Sequence, residues 1–177
     1  MMRPFPDLPG ISAFPELNLR TYVEKDGKPG VWFFSLDATQ PLAVWAARRF
    51  FHLPYVRAKM SLTNSGDDHR FDSVRLPESS PVTFHANYRP TSEVYEASSG
   101  TLERWLTERY CLYTKSPAGT LYRTEVHHHP WPLQSAEVEI ERNDLLTPHG
   151  LEVDGLPPIL HFARRLDVVA WSPVILI

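Results

Sequence analysis

The chain has 177 residues, enough for one domain (residues 1–177) that buries most of its apolar surface without staples. It is 42% hydrophobic and 22% charged, as ordinary globular proteins are, and no apolar run reaches the roughly 18 residues that cross a bilayer. A formal net charge of -3 and a pI near 6.2 argue against nucleic-acid binding, which wants a basic face, and the start lacks the apolar core of a signal peptide.

A single cysteine, Cys111, forms no internal disulfide and fits a reducing cytoplasm; it reads as a small buried hydrophobe. The 17 prolines favour many short elements over long helices. Residues 1–15 are Pro-rich and read as irregular. Leu17 to Glu24 alternates apolar and polar, a turn follows at 25–30, and Val31–Leu36 is a strong strand, so 17–36 is a predicted hairpin. Thr39 is a candidate N-cap, with Pro41 in the first turn. Leu42, Trp45, Ala46, Arg49 and Phe50 recur at helical spacing up to the break at Pro54.

Three strands are predicted next, at 55–63, 70–76 and 82–89, the first two joined by a long loop at 64–68. Thr101 caps a second helix over 101–109, with the acid Glu103 in its first turn. Strands at 110–115 and 120–128 form another hairpin. A further strand spans 134–141, where helix is also allowed. Residues 143–157 read as loop with one helical turn, and short strands close the chain at 159–162 and 168–171. The sum is an α+β domain, mostly antiparallel, whose strands must close or nearly close to cover their edges.

Tyr55, Arg57, Lys59 and Ser61 share one strand face, and Val56, Ala58, Met60 and Leu62 the other. The apolar set should face packed helices, and the polar set either solvent or a barrel interior. In the second case Arg57 has the planar fork that grips a carboxylate or phosphate. Glu16 is either a surface carboxylate or a pocket carboxylate, and if buried near Arg57 it should be paired. Arg20, on the first strand, and Arg109, at the end of the second helix, complete the ligand-binding candidates; the helix charges otherwise read as a solvated face. His127 and His129 share a strand face with Glu125 at a spacing zinc can use, but the sequence names no third ligand, so no metal is expected. No cofactor motif is present.

The order of five motifs (14–23, 30–38, Arg48 to Met60, 102–110, and His128-His129-Pro130-Trp131-Pro132-Leu133) resembles the YqjF-like family of uncharacterised bacterial proteins, of DUF2071 type. That family looks like a branch of the acetoacetate decarboxylase-like superfamily. The resemblance implies a cone-shaped antiparallel β-barrel with two main helices and a central pocket. In the superfamily's enzymes a helix end and a Gly-aromatic-Pro-Lys-Lys corner supply the lysine that forms a Schiff base with a keto acid. Here Arg48-Arg49 and Leu53-Pro54 match the helix end and corner, Phe14-Pro15-Glu16 and Ser35-Leu36-Asp37 match two further elements, and the lysine pair falls on Tyr55 and Val56. Tyrosine cannot form an imine and valine carries no charge. Lys59 lies roughly 13 Å along an extended strand, too far to substitute.

YqjF-like proteins also carry further strands before the region matched here, so the resemblance implies missing N-terminal strands, through a shortened form or a start codon placed late. The hairpin holding Trp32, Phe33 and Phe34 would then show an unpaired apolar edge and recruit a second copy. Three functions are expected in order: binding of a small acidic or keto-type metabolite without Schiff-base chemistry; a lyase-type or other acid–base enzyme using Glu16, Tyr55 and Arg57; and a structural or assembly module acting through a sheet edge. The partner is a small molecule, neither nucleic acid nor membrane, and the compartment the cytoplasm.

Overall fold

The computed structural model describes residues 14–76, 81–153, 155, 157 and 159–176. The first hairpin is β1 (Glu16–Lys25) against β2 (Lys28–Ala38), closed by Asp26 and Gly27 at φ +53° and +72°. Two positive φ values in a two-residue turn match the right-handed strand twist, and Asp-Gly accepts them at little cost. Helix α1 (Pro41–Phe50) follows, with Pro41 in its first turn. Gln40 rather than Thr39 holds the N-cap position, and it makes no side-chain cap bond.

After Pro54 come β3 (Tyr55–Ser65), β4 (Asp68–Arg75) and β5 (Thr83–Pro90), paired antiparallel in sequence. The loop expected between the first two is a tight turn, because Ser65 already pairs with Asp68 and Gly66 takes φ +64°. Helix α2 (Leu102–Thr107) starts at Thr101, whose side chain accepts from the Arg104 amide. The second hairpin is β6 (Cys111–Lys115) and β7 (Leu121–His128). Then come β8 (Gln134–Asn143), strand throughout, a single 3-10 turn at Thr147–His149, β9 (His161–Phe162), β10 (Val168–Ala170) and β11 (Val174–Ile175).

These strands form one mixed sheet in the order β10-β7-β6-β2-β3-β4-β5-β8-β9, with β1 on β2 and β11 on β7. Two pairings, β2 with β3 and β2 with β6, are parallel within a sheet that is otherwise antiparallel, as the mostly antiparallel expectation allows. Both use one edge of β2 at different heights, so the sheet forks there. Among the described residues it does not close into a barrel. The edge expectation also changes. β2, which carries Trp32, Phe33 and Phe34, is an interior strand, and β1, outermost on that side among the described residues, exposes Asn18, Arg20 and Glu24. Polar and charged edge residues discourage pairing with another chain. No helix among the described residues is long and apolar enough to cross a membrane.

Register partners point to the same side of a sheet, which fixes two faces. On the outer face, α1 lays Val44 and Ala47 over Leu36, Ala38, Phe51, Leu53 and Tyr55, the main apolar cluster. On the inner face lie Val56, Ala58, Met60 and Leu62, backed by Phe71 and Phe84 in edge contact at 6.4 Å. The apolar set of β3 therefore faces away from α1, the reverse of the expectation. Tyr55 belongs to the polar set by period yet supplies core area to the helix.

Where β2 meets β6 the backbones come close. A Cβ on Gly30 would lie 2.7 Å from both the carbonyl O and Sγ of Cys111, and 2.8 Å from the Tyr113 ring. Gly30→Ala should therefore destabilise the fold by about 1–3 kcal/mol through overpacking. Urea unfolding at equilibrium tests this; an unchanged midpoint would show that the parallel pairing is looser than the geometry requires.

Candidate functional site

The helix–Pro–strand corner brings three of the predicted site residues to one face. Glu16 and Arg57 are both register partners of Ala38, from opposite sides, and Tyr55 precedes Arg57 by one pleat. The Tyr55 hydroxyl donates to Glu16 Oε2 at 2.8 Å, under α1. Burial raises the Glu16 carboxyl above its ordinary 4.5, against the hydrogen bonds from Tyr55 and Asn18. Burial, then the Glu16 charge, pushes the Tyr55 phenol far above its ordinary 10. Tyr55 is thus a fixed donor and holds its proton at neutral pH.

Arg57 sits apart from this bond, exposed at the rim of α1. With Pro41, Val44, Trp45, Arg48 and Arg49 it lines a shallow, open cleft of about 430 Å³ between α1 and β3. Pro41, Val44, Trp45 and Arg48 recur along one stripe of α1, so the helix presents an apolar floor and a cationic end to Arg57. A larger open trough of about 700 Å³ includes Arg70, Asn87, Arg89 and Glu137 in its lining. Its arginines are already spoken for: Arg70 pairs with Glu141 and Asp72, and Arg89 with Glu137.

The remaining candidates lie elsewhere. Arg20 is exposed and donates weakly to the Tyr22 hydroxyl at 3.4 Å. Arg109 stacks over Trp105 with its guanidinium carbon 4.2 Å from the ring centroid and also faces Tyr22. Neither joins the corner. His127 stacks on Tyr110 and meets His129 edge-on, while Glu125 is held by Lys28 at 2.6 Å and Arg123 at 2.7 Å. Among the described residues no three His, Cys, Asp or Glu side chains are placed to hold a metal.

One polar centre was not foreseen. On the inner face Arg75 Nε meets both carboxylate oxygens of Asp37 at 2.9 and 2.8 Å, and its Nη2 donates to Ser35 Oγ at 2.6 Å. Asp37 is fully buried. Burial pushes its carboxyl above the ordinary 3.8, against the hydrogen bonds and charge of Arg75. Val56 shares that face as the register partner of Asp37, so residues 55 and 56 point to opposite sides of the sheet.

Comparison with known proteins now adds the relationship. The family model for DUF2071, described as an uncharacterized conserved protein, matches residues 1–167. The uncharacterized protein YqjF of Bacillus subtilis (strain 168) is 49% identical over 169 residues, which is 96% of this chain and 69% of that protein.

The chain belongs to the DUF2071 family.

Two solved acetoacetate decarboxylases resemble this DUF2071 chain in fold. The enzyme from Legionella pneumophila superposes with TM-score 0.61 at 14% identity, covering 96% of this chain and 69% of the enzyme. A second gives TM-score 0.51 at 13% identity, covering 95% of this chain and 68% of the other. At such identities the likeness is one of fold.

The Glu16 geometry sets a pH dependence for this DUF2071 member. A carboxyl raised in the folded state binds its proton more tightly there than in the unfolded chain. Its contribution to stability is present below the ordinary value of 4.5 and is lost as pH rises through the folded value. Glu16→Gln keeps an acceptor for Tyr55 and removes the titration. The variant should gain stability relative to the parent between about pH 4.5 and pH 7.5, as urea melts at the two pH values will report. A relative loss for Gln over that range would mean that the ionised carboxylate is the favoured form.

Proposed function

We propose that the chain binds a small organic acid, of carboxylate or keto-acid type, without imine chemistry. The observation that carries this reading is the cleft between α1 and β3, where Arg57 presents an exposed guanidinium over an apolar floor. A planar guanidinium matches a carboxylate bidentately, and a small apolar surface beside it holds the ligand's carbon skeleton. Kinship of fold with the decarboxylases supports a ligand of the same broad class. The cone-shaped barrel expected from the family belongs to the same proposal, since it would add walls to this sheet.

Acid–base catalysis by Glu16 and Tyr55 is the second reading. It draws on the raised Glu16 carboxyl, because a carboxyl moved toward neutrality suits proton transfer. Tyr55, held protonated by burial and the adjacent carboxylate, would orient Glu16 rather than supply the proton.

Two experiments test the binding reading. Incubation with acetoacetate followed by borohydride should leave the protein mass unchanged, because Tyr55 and Val56 occupy the lysine positions. A reduced adduct mapped to Lys59 or Lys115 would reinstate Schiff-base chemistry. In calorimetric titration with small keto acids, Arg57→Ala should weaken binding by about 1.5–3 kcal/mol, the value of a hydrogen bond to a charged group. Lys59→Ala, further along the strand, should do less; equal losses would place the ligand outside the cleft.

A further inference from the structure

The chain is acidic overall, and seven of its 13 described arginines pair with a carboxylate. Arg20, Arg104 and Arg109 instead meet a hydroxyl, a backbone carbonyl and an aromatic ring. Arg48, Arg49 and Arg57 form a third group. All three are exposed, all three line the one cleft, and no carboxylate among the described residues pairs with any of them. The partial negative charge at the C-terminus of α1 accounts for cations at 48 and 49. It gives no account of Arg57, which arrives from β3. Three guanidiniums line about 430 Å³, so an anion seated there meets several cations, and a second negative charge gains a charge-assisted partner that a monoanion leaves unused. Trp45 lies half exposed on the same rim, braced edge-on by Phe50 at 5.7 Å, and offers a ring face to a flat ligand body.

We infer that this cleft is built for a dianion joined to a planar apolar group, a phosphate monoester or an aromatic dicarboxylate, gripped by Arg48, Arg49 and Arg57 and packed on Trp45. The inference rests on the organic-acid reading and narrows it by charge and shape. The phosphate and dicarboxylate sources share the same charge and geometry, so both are probed.

The test is titration calorimetry of the full chain with phenyl phosphate, phthalate, benzoate and inorganic phosphate near pH 7.5, where a phosphate monoester is close to dianionic. Phenyl phosphate or phthalate, or both, should bind at least about tenfold more tightly than benzoate, one extra charge-assisted contact being worth about that factor. The winning dianion names the source. It should also bind more tightly than inorganic phosphate, which has no group for Trp45. Arg48→Gln and Arg57→Gln should each reduce the preference of dianion over benzoate, while thermal melts show that these exposed changes leave the fold intact. Benzoate binding as tightly as either dianion, with Arg57→Gln weakening all, would overturn the dianion inference and leave the organic-acid reading standing. Absence of binding by all four probes would overturn both. Dianion binding unaffected by Arg48→Gln and Arg57→Gln would overturn the assignment to this cleft.

Discussion

Asp37 is fully enclosed, so its charge has to be met inside the protein. Arg75 meets it with Nε on both oxygens, and reaches on to Ser35. The two partners come from the end of β2 and the end of β4, with β3 running between them. The ion pair therefore pins three strands at the point where β2 turns from pairing with β6 to pairing with β3. Everything at the helix–Pro–strand corner depends on that pin. The height of β3 against β2 sets Tyr55 beside Leu36 and Arg57 beside Ala38, which in turn set what α1 covers and what it leaves open. Removing one partner of such a pair strands a buried charge, which is why the pair fixes geometry whether or not it adds net stability.

The corner also bears on imine chemistry. Lysines placed at positions 55 and 56 would not by themselves make a Schiff-base site. An amine at position 55 would face the buried Glu16 carboxylate, and one at position 56 would lie beside Asp37. A neighbouring carboxylate favours the ammonium form, whereas attack on a carbonyl needs the neutral amine. The surroundings have been set for a tyrosine that donates and a valine that packs. Tyr55, Val56 and the two carboxylates are physically consistent with one another.

Much of the fold was legible because its signals are local. Asp26-Gly27 announced the hairpin, Pro54 the end of α1, and Thr101 the start of α2. The parallel pairings were not legible, because nothing in Val31 or Leu112 says that they will be neighbours in that direction. The two-residue strand β11 carries too little pattern to find. The placement of Tyr55 and Arg57 on one face was legible from the strand period of two, and the register adds Glu16 to it. The Asp37–Arg75 pair was missed, although it left a trace. Phe71, Ser73 and Arg75 alternate on β4, so an apolar face turns polar toward its end, and a charge in that position calls for a buried partner. The stacking of Arg109 on Trp105 left no such trace in the local sequence.

Charge segregation at the corner follows from the chain path itself. Pro54 stops α1 and turns the chain directly into β3, so the last turn of the helix and the first pleats of the strand are neighbours. Cations at the helix C-terminus are favoured by the backbone dipole, and Arg48 and Arg49 take that role. A third cation, Arg57, stands two residues into the strand, beyond the reach of that dipole argument. The carboxylate on the same cross-strand row, Glu16, could have neutralised it, yet Glu16 is turned under α1 and bonded to Tyr55. The Tyr55–Glu16 bond thus does more than fill the core. By holding the nearby acid inside, it leaves Arg57 without a carboxylate partner among the described residues.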